Sequence, residues 1–263
     1  MTNLPDNRRK EFFYLIKYRW KSILLIGGLL FLFSIPLLGS ILLKDLKAIS
    51  IVTTSDGEDV SALLINDLFY SVFIVPSFVI LFIGLSGIYR VVRNYIWAEG
   101  VIFKSDFLIG IKQNWFPFAL DGFIFSILFY GLYLATVYIN IPYLKYLPIA
   151  VCFILIYPVI LIHTNLTVVY KNNYFKQMKN ALLIYIRRAY IYLPLFILLI
   201  TIPFVFFIFY IPLIVKYIIL ILFVNLFLPF FILLFNTYSI SVFDYYINKE
   251  NHQEIYKKGL FLD

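Results

Sequence analysis

The polar side chains inside otherwise apolar stretches of the sequence include Asp121, His163 and Asn225. A carboxylate, an imidazole and a carboxamide brought together inside a hydrophobic bundle could pass protons or bind a polar solute. The same side chains could instead be structural, with Asp121 paired to Arg187 or Arg188 and the other two bonded across helices. Both alternatives require helices that hold these residues within an apolar layer.

No pattern of a known catalytic or nucleotide-binding site accompanies these residues. The sequence lacks the motifs G-x-x-x-x-G-K-[ST], G-x-S-x-G, H-E-x-x-H and G-x-G-x-x-G. Its single cysteine, Cys152, rules out an intramolecular disulfide and a cysteine-based metal cluster. We therefore expect no enzymatic activity, no metal site and no cofactor.

A second candidate site is the turn after the second long apolar stretch, which contains Trp97, Ala98, Glu99 and Gly100. It loosely resembles the E-A-A–G loop through which importer permeases contact their driving subunit. We predict that Trp97, Glu99 and Gly100 dock a partner. The alternative is that Glu99 pairs with Arg93 while Trp97 anchors the helix among lipid headgroups.

The elements that must position these residues follow from the composition. Of the 263 residues 63% are apolar and 14% are charged, against about 45–50% and 25% in soluble domains. Such a chain has too little polar surface to fold in water and too much apolar surface to remain disordered. The composition therefore predicts a polytopic membrane protein.

Six apolar stretches have the length of about 20 residues that a membrane-spanning helix needs. We predict an all-α bundle of six transmembrane helices over residues 22–240, with a basic segment 1–21 before it and a tail 241–263 after it. Pro212 and Lys216 favour a turn between the last two spans. The predicted spans are approximately 22–43, 68–89, 116–139, 147–169, 190–210 and 217–240.

The basic residues lie mostly on one side of this bundle. Of the 22 Lys and Arg residues, 18 fall in the N-terminal segment, the loops 90–115 and 170–189, and the C-terminal tail. Since basic loops stay in the cytoplasm, we predict a plasma-membrane protein with both termini cytoplasmic and an acidic outer loop at 44–67. The net charge of +8 then indicates attraction to the anionic inner leaflet, not nucleic-acid binding.

Three basic segments, 8–20, 103–115 and 171–190, precede the odd-numbered spans. Their apolar residues recur every three or four positions, as Phe107 and Ile111 do, and their cations lie on the other face. This pattern predicts amphipathic helices in the cytoplasmic membrane interface. The similarity of the three segments has two explanations. They are a parallel repeat that occurs three times, or they share the composition that any membrane interface selects.

Residues 84–115 resemble the signature of the YesL family of bacterial integral membrane proteins. In that family a span ending in a G-x-Y-x-x-x-R type stretch is followed by a short acidic turn and an aromatic-rich D-F-F-x-x-x-K-x-N-x segment. The earlier Phe33-Ser34-Ile35-Pro36 resembles the family's F-S-L-P, whereas the loop 44–67 departs from the family pattern. The matching residues are Gly87, Tyr89, Arg93, Glu99, Asp106, Phe107, Lys112 and Asn114.

The resemblance implies a non-enzymatic membrane component of the kind often associated with carbohydrate uptake systems of the ATP-binding-cassette type. The chain would then be an accessory or permease-like component that acts with a membrane or cytoplasmic transporter subunit. The alternative is an autonomous secondary transporter with a polar site near Asp121, His163 and Asn225. A water-accessible cavity at these residues would favour transport, and a solidly packed bundle would favour the accessory role.

Overall fold

The computed structural model describes residues 5–54, 59–138, 141, 147–208 and 212–260. The elements formed by these residues are helical, and each of six long units contains a segment long and apolar enough to cross a membrane. This confirms the predicted all-α bundle with six spans. The units are α1 (Arg8–Thr54), α2 (Val60–Ile96), α3 (Phe103–Tyr138), α4 (Leu147–Val151, Cys152–Ile156 and Tyr157–Val169), α5 (Tyr174–Ile208) and α6 (Leu213–Leu222, Phe223–Phe227, Leu228–Phe243, Asp244–Asn248 and Lys249–Asn251).

Most of the predicted outer loop 44–67 is helical, which corrects the sequence-based expectation. α1 continues to Thr54 and α2 begins at Val60, so both helices extend beyond their apolar stretches. The expectation was wrong because apolar composition marks the lipid-facing part of a helix, whereas the helix itself continues until its backbone groups are capped. Residues 55–58 of this loop lie outside the described residues. The same is true of residue 139, the predicted end of the third span, residue 210, the predicted end of the fifth, and residue 211, where the joint after the fifth span begins.

Asp59 supplies the cap that starts α2. Its carboxylate accepts hydrogen bonds from the backbone N–H groups of Ser61 and Ala62, which satisfies two of the unpaired donors at a helix N-terminus. The Ser61 hydroxyl also donates to this carboxylate and, with the backbone bond from Ala62, holds the pKa of Asp59 below its ordinary value. The cap therefore stays charged at neutral pH.

Two of the three basic segments join their spans at a bend. α1 departs from helical geometry at Arg19 (φ −121°) and α5 at Arg188 (φ −130°). Each bend lies within two residues of the aromatic residue that ends the predicted segment, Trp20 or Tyr190. The sequence pattern thus located the place where these helices change direction.

The segment at the start of α3 packs differently from the prediction. Its apolar stripe does not face lipid alone, since Phe107 is buried against Gly87 of α2 and packs on the ring of Phe33. A stripe that contacts lipid and one that contacts another helix both need apolar residues at the same spacing. Periodicity therefore predicted the stripe and not the surface that covers it.

Two spans accommodate a proline by means of a π-helical turn. Cys152–Ile156 precedes Pro158, and Phe223–Phe227 precedes Pro229. A proline removes a backbone donor and crowds the preceding turn, and a wider π-helical turn relieves that crowding without ending the helix. Both spans therefore continue past their prolines.

α2 and α3 approach each other closely where two glycines meet. A Cβ added to Gly110 would lie 2.8 Å from Cα of Gly87 and 3.0 Å from the backbone oxygen of Ser86. On Gly87, a Cβ would lie 2.6 Å from the ring of Phe107. Only residues without side chains permit this approach, which sets the rotation of α3 and thereby the direction of Asp121 further along it.

We expect Gly110→Ala to lower the free energy of unfolding by about 1–3 kcal/mol, because the new methyl group meets backbone atoms that cannot move aside. Gly131→Ala is the matched control, since nothing lies within 4 Å of a Cβ at that position of the same helix. It should be neutral or slightly stabilising. Unfolding of the purified protein in detergent measures both, and equal effects would contradict the close approach.

The first turn of α1 and the described part of the C-terminal tail lie at the same end of the bundle, which we call the termini-bearing end; the other is the far end. Arg8, at the start of α1, donates from Nη2 to Asp244 Oδ2 (2.8 Å) and from Nη1 to Glu11 Oε2 (2.9 Å). Asp244 Oδ1 accepts from Asn248 Nδ2 and from the backbone N–H of Lys257. One buried carboxylate thus joins the first helix, the last helix and the tail.

Candidate functional site

The strongest candidate site is a buried cluster of Asp121, His163 and Tyr174. His163 Nδ1 lies 2.7 Å from Asp121 Oδ2, and the Tyr174 hydroxyl donates to Asp121 Oδ1 at 2.7 Å. Asp121 and His163 are both 0% exposed. The two residues predicted to act together are therefore in direct contact.

Three helices position this cluster. Asp121 lies at the middle of α3, His163 in the last third of α4, and Tyr174 is the first residue of α5. The link between α4 and α5 is short enough to turn Tyr174 back onto α4. Gln177 stabilises that turn, since it donates to the backbone oxygen of Tyr170 (2.6 Å) and accepts from the Thr167 hydroxyl (3.1 Å).

The alternative partner predicted for Asp121 is wrong. Neither Arg187 nor Arg188 bonds to it: Arg188 donates from Nε to the Tyr246 hydroxyl at 2.9 Å, and the guanidinium of Arg187 lies over the Tyr246 ring. The structural alternative nevertheless survives in a different form, because His163 is the interhelical partner. Tyr174 lies in the predicted basic segment 171–190, and nothing in the sequence distinguishes it from the other tyrosines of that segment.

The cluster is a carboxylate with two donors and an imidazole with one free nitrogen. Tyr174 donates to one carboxylate oxygen, and the other is hydrogen-bonded to His163 Nδ1. His163 Nε2 is buried and has no partner among the described residues, while the Tyr174 ring stands edge-on to the imidazole at 4.6 Å. This arrangement can hold a proton between Asp121 and His163, with Nε2 as the remaining donor or acceptor.

Asn225 does not belong to this cluster. Its amide donates to the backbone oxygen of Ile221 one turn earlier in α6, and its own backbone oxygen lies against Gly27 of α1. The level of the cluster in α6 is marked by Ser239, which Asn165 contacts from α4. Asn225 lies about four turns before Ser239, or about 20 Å along the axis at 1.5 Å per residue.

The predicted docking turn is partly covered by the chain's own tail, and the Glu99 side chain remains 34% exposed. Lys258 Nζ lies 2.6 Å from Glu99 Oε1 and stands over the Trp97 ring at 4.9 Å. A Cβ on Gly259, which has φ +89°, would lie 2.2 Å from the backbone oxygen of Ile96. The tail can therefore approach the end of α2 this closely only with glycine at that position.

The alternatives proposed for this turn are also corrected by these contacts. Glu99 pairs with Lys258 and not with Arg93, which donates to the backbone oxygen of Val168 at 2.7 Å. Trp97 is only 8% exposed, so it lies inside the protein and not among lipid headgroups. Gly100 is exposed, with open space around its Cα.

A second charged cluster, at the far end, was not anticipated from the sequence. Lys44 lies 3.2 Å from Asp67, and Lys216 lies 2.6 Å from Asp45. The Tyr138 hydroxyl donates to Asp67 Oδ2 at 2.9 Å. These contacts join four spans. The sequence signal for this cluster was the presence of opposite charges next to several predicted span ends.

Within the described part of the chain, no group of three or more His, Cys, Asp or Glu side chains could hold a metal ion. Two surface cavities, with volumes of about 270 and 310 Å³, lie between the start of α1 and α6 and do not touch Asp121 or His163. Comparisons of the chain with protein-family models, curated proteins and solved structures found no match.

Proposed function

We propose that the chain is a non-enzymatic, multi-pass membrane component that acts together with a transporter subunit. The observation that carries this proposal is that Asp121, His163 and Tyr174 bond to one another and line neither of the two surface cavities. Asp121 and His163 are fully buried, and Asn225 lies about four turns of α6 from their level. Polar groups that are packed away in this manner hold helices together and are not placed along a path for a solute. This favours a role beside a partner over transport by the chain itself.

The resemblance to the YesL family supplies the candidate partner class, a carbohydrate uptake system of the ATP-binding-cassette type. Two residues of the resembling segment have defined roles in the fold, which supports treating it as one unit. Gly87 permits the close approach of α3, and Phe107 packs on Gly87. The turn with Trp97, Glu99 and Gly100 follows directly after this helix pair, where a cytoplasmic subunit could reach it.

Co-purification in mild detergent tests this proposal. We expect a transporter subunit to co-purify with the native chain and to be lost from Glu99→Arg. The double variant Glu99→Arg with Lys258→Glu restores the internal ion pair with its charges exchanged. If the partner contacts Glu99 itself, the double variant also loses the partner; if Glu99 only holds the tail in place, the double variant recovers it.

The control is Glu250→Arg, which makes the same charge change at an exposed position of the C-terminal region. It should leave co-purification unchanged. Retention of every partner in Glu99→Arg, at native expression and thermal stability, would contradict docking at this turn.

The second candidate function is autonomous secondary transport, which one observation favours. His163 Nε2 is buried without a partner in the described residues, and an intramembrane carboxylate next to an imidazole is typical of proton relays. Uptake of solutes into proteoliposomes under a proton gradient tests this directly. Uptake that the native protein supports and Asp121→Asn abolishes would establish transport and would displace the accessory role.

We further propose that the termini-bearing end faces the cytoplasm, because most of the Lys and Arg residues lie there. The Cys152→Ser protein with single cysteines at Thr53, Asn114 or Gln253 reports the orientation. A membrane-impermeant thiol reagent added to intact cells should label Thr53→Cys and spare the other two. Labelling of Asn114→Cys or Gln253→Cys in intact cells would reverse the orientation.

A further inference from the structure

Two surface cavities are adjoining parts of one groove between the first turns of α1 and the end of α6. Both parts are lined by Arg9 and Tyr238. One part is otherwise apolar, and the other adds the polar side chains of Asn7, Arg8, Thr237 and Ser241. We call this the α1–α6 groove. It has a polar half and an apolar half, which is the division that an amphiphile needs.

Arg9 provides a positive charge that the protein itself does not neutralise. It is exposed and makes no ion pair or hydrogen bond with any described residue, whereas its neighbours are engaged: Arg8 with Glu11 and Asp244, and Lys10 with Asp6. An arginine presents several N–H donors in a planar fork that matches the oxygens of a phosphate. The polar half of the groove is therefore suited to an anionic group with several oxygens.

Hydroxyl groups extend this polar half. Tyr238 and Ser241 are both exposed on α6 and lie three residues apart, so they share one face of the helix. Each hydroxyl can donate to a further anionic oxygen. The carboxylates nearest to the groove already have cationic partners, which leaves the charge of Arg9 to dominate there.

The apolar half of the groove is open to the surroundings of the bundle. It is lined by Phe12, Phe13 and Leu234, and Phe13 is 61% exposed. Leu234 lies within the last apolar stretch, and Tyr238 lies near the end of that stretch. The polar half of the groove is thus at the depth of lipid headgroups, and the apolar half is at the depth of acyl chains.

We propose that the α1–α6 groove is a specific site for one anionic phospholipid. Its phosphate contacts the Arg9 guanidinium and the hydroxyls of Tyr238 and Ser241, and one acyl chain lies along Phe13 and Leu234. This goes beyond the general attraction of a basic surface to anionic lipid, because it assigns the recognition to one cation and two hydroxyls. It does not depend on the transporter partner.

Native mass spectrometry of the purified protein with added phosphatidylglycerol, phosphatidylcholine or inorganic phosphate tests the site. We expect one molecule of phosphatidylglycerol to bind in preference to phosphatidylcholine. Arg9→Gln should weaken that binding about tenfold or more, since a hydrogen-bonded charge contributes roughly 1.5–3 kcal/mol. Tyr238→Phe should weaken it less, because one neutral donor is lost.

Lys10→Gln is the matched control, because it removes the same charge one residue away, from a side chain that is not part of the groove lining. It should leave the single tight site unchanged. Equal losses in Arg9→Gln and Lys10→Gln would show diffuse attraction to a basic surface and would overturn the proposal.

Two further arms distinguish a phospholipid from other occupants. Phe13→Ser should weaken phosphatidylglycerol but leave any binding of inorganic phosphate unchanged, because it alters only the apolar half. Competition by inorganic phosphate at concentrations comparable to those of the lipid would indicate a plain anion site, and it would overturn the assignment to a phospholipid. Native thermal stability of each variant without lipid confirms that the bundle is intact.

Discussion

The variant Asp121→Ala is expected to lower the free energy of unfolding by about 3–5 kcal/mol. The substitution leaves His163 and the Tyr174 hydroxyl without the acceptor that joins them, in a site with no access to water. Removal of one member of a buried, hydrogen-bonded pair has a cost of this size because the other member remains buried and unpaired. Unfolding in mixed micelles with a denaturing detergent measures the difference.

A variant that replaces the whole cluster separates a structural from a functional role. Asp121→Val, His163→Leu and Tyr174→Phe together remove every polar group of the cluster and stay close to the original side-chain volumes. Its stability should return to within about 1–2 kcal/mol of the native value, because a complete apolar replacement of a buried pair is often neutral or stabilising. Partner co-purification should survive in this variant if the cluster only holds helices together.

Two results would contradict this account of the cluster. Native stability of Asp121→Ala would mean that water reaches the site and replaces the missing acceptor. Loss of solute uptake in a stable apolar variant would mean that the cluster acts in transport, which would favour the second candidate function.

Arg8→Met is also expected to lower the free energy of unfolding by about 3–5 kcal/mol, in this case because a buried cation is lost and its carboxyl partners remain. Arg8 is the shared cation of two buried carboxylates, Glu11 and Asp244. Without it, two buried carboxyl groups lie close together with no cation, so that one of them must take up a proton or remain as an unpaired charge in a region of low polarity. The first helix would lose its connection to the last helix and to the tail at the termini-bearing end.

The control for Arg8→Met is Lys10→Met, since Lys10 pairs with Asp6 where both side chains are more than half exposed. An exposed pair of this kind contributes only about 0–1 kcal/mol. The effect of Arg8→Met should also become smaller at acidic pH, because protonated carboxyl groups no longer need a cation. An effect that equals that of Lys10→Met at neutral pH would contradict the role of Arg8 as a buried counter-ion.

The predicted candidate sites were correct in part. Asp121 and His163 were expected to share a site, and they are in contact. Asn225 was grouped with them because all three are polar residues in apolar spans, but its level along α6 separates it from them. Trp97 and Glu99 were predicted to be free for a partner, and the tail residue Lys258, more than 150 positions away in the chain, contacts both.

The sequence alone was enough to predict the all-α class, the six spans, and the segment ends at Trp20 and Tyr190, which lie next to the bends of α1 and α5. These features depend on composition and on spacing over a few turns of one helix, which the order of residues states directly. The tertiary structure decided what each polar group contacts: His163 for Asp121, Arg8 for Asp244, and Lys258 for Glu99. Those partners lie far apart in the chain. They meet because packing, such as the close approach of Gly87 and Gly110, sets the rotation of each helix and its level in the bundle. No local pattern of residues contains that information.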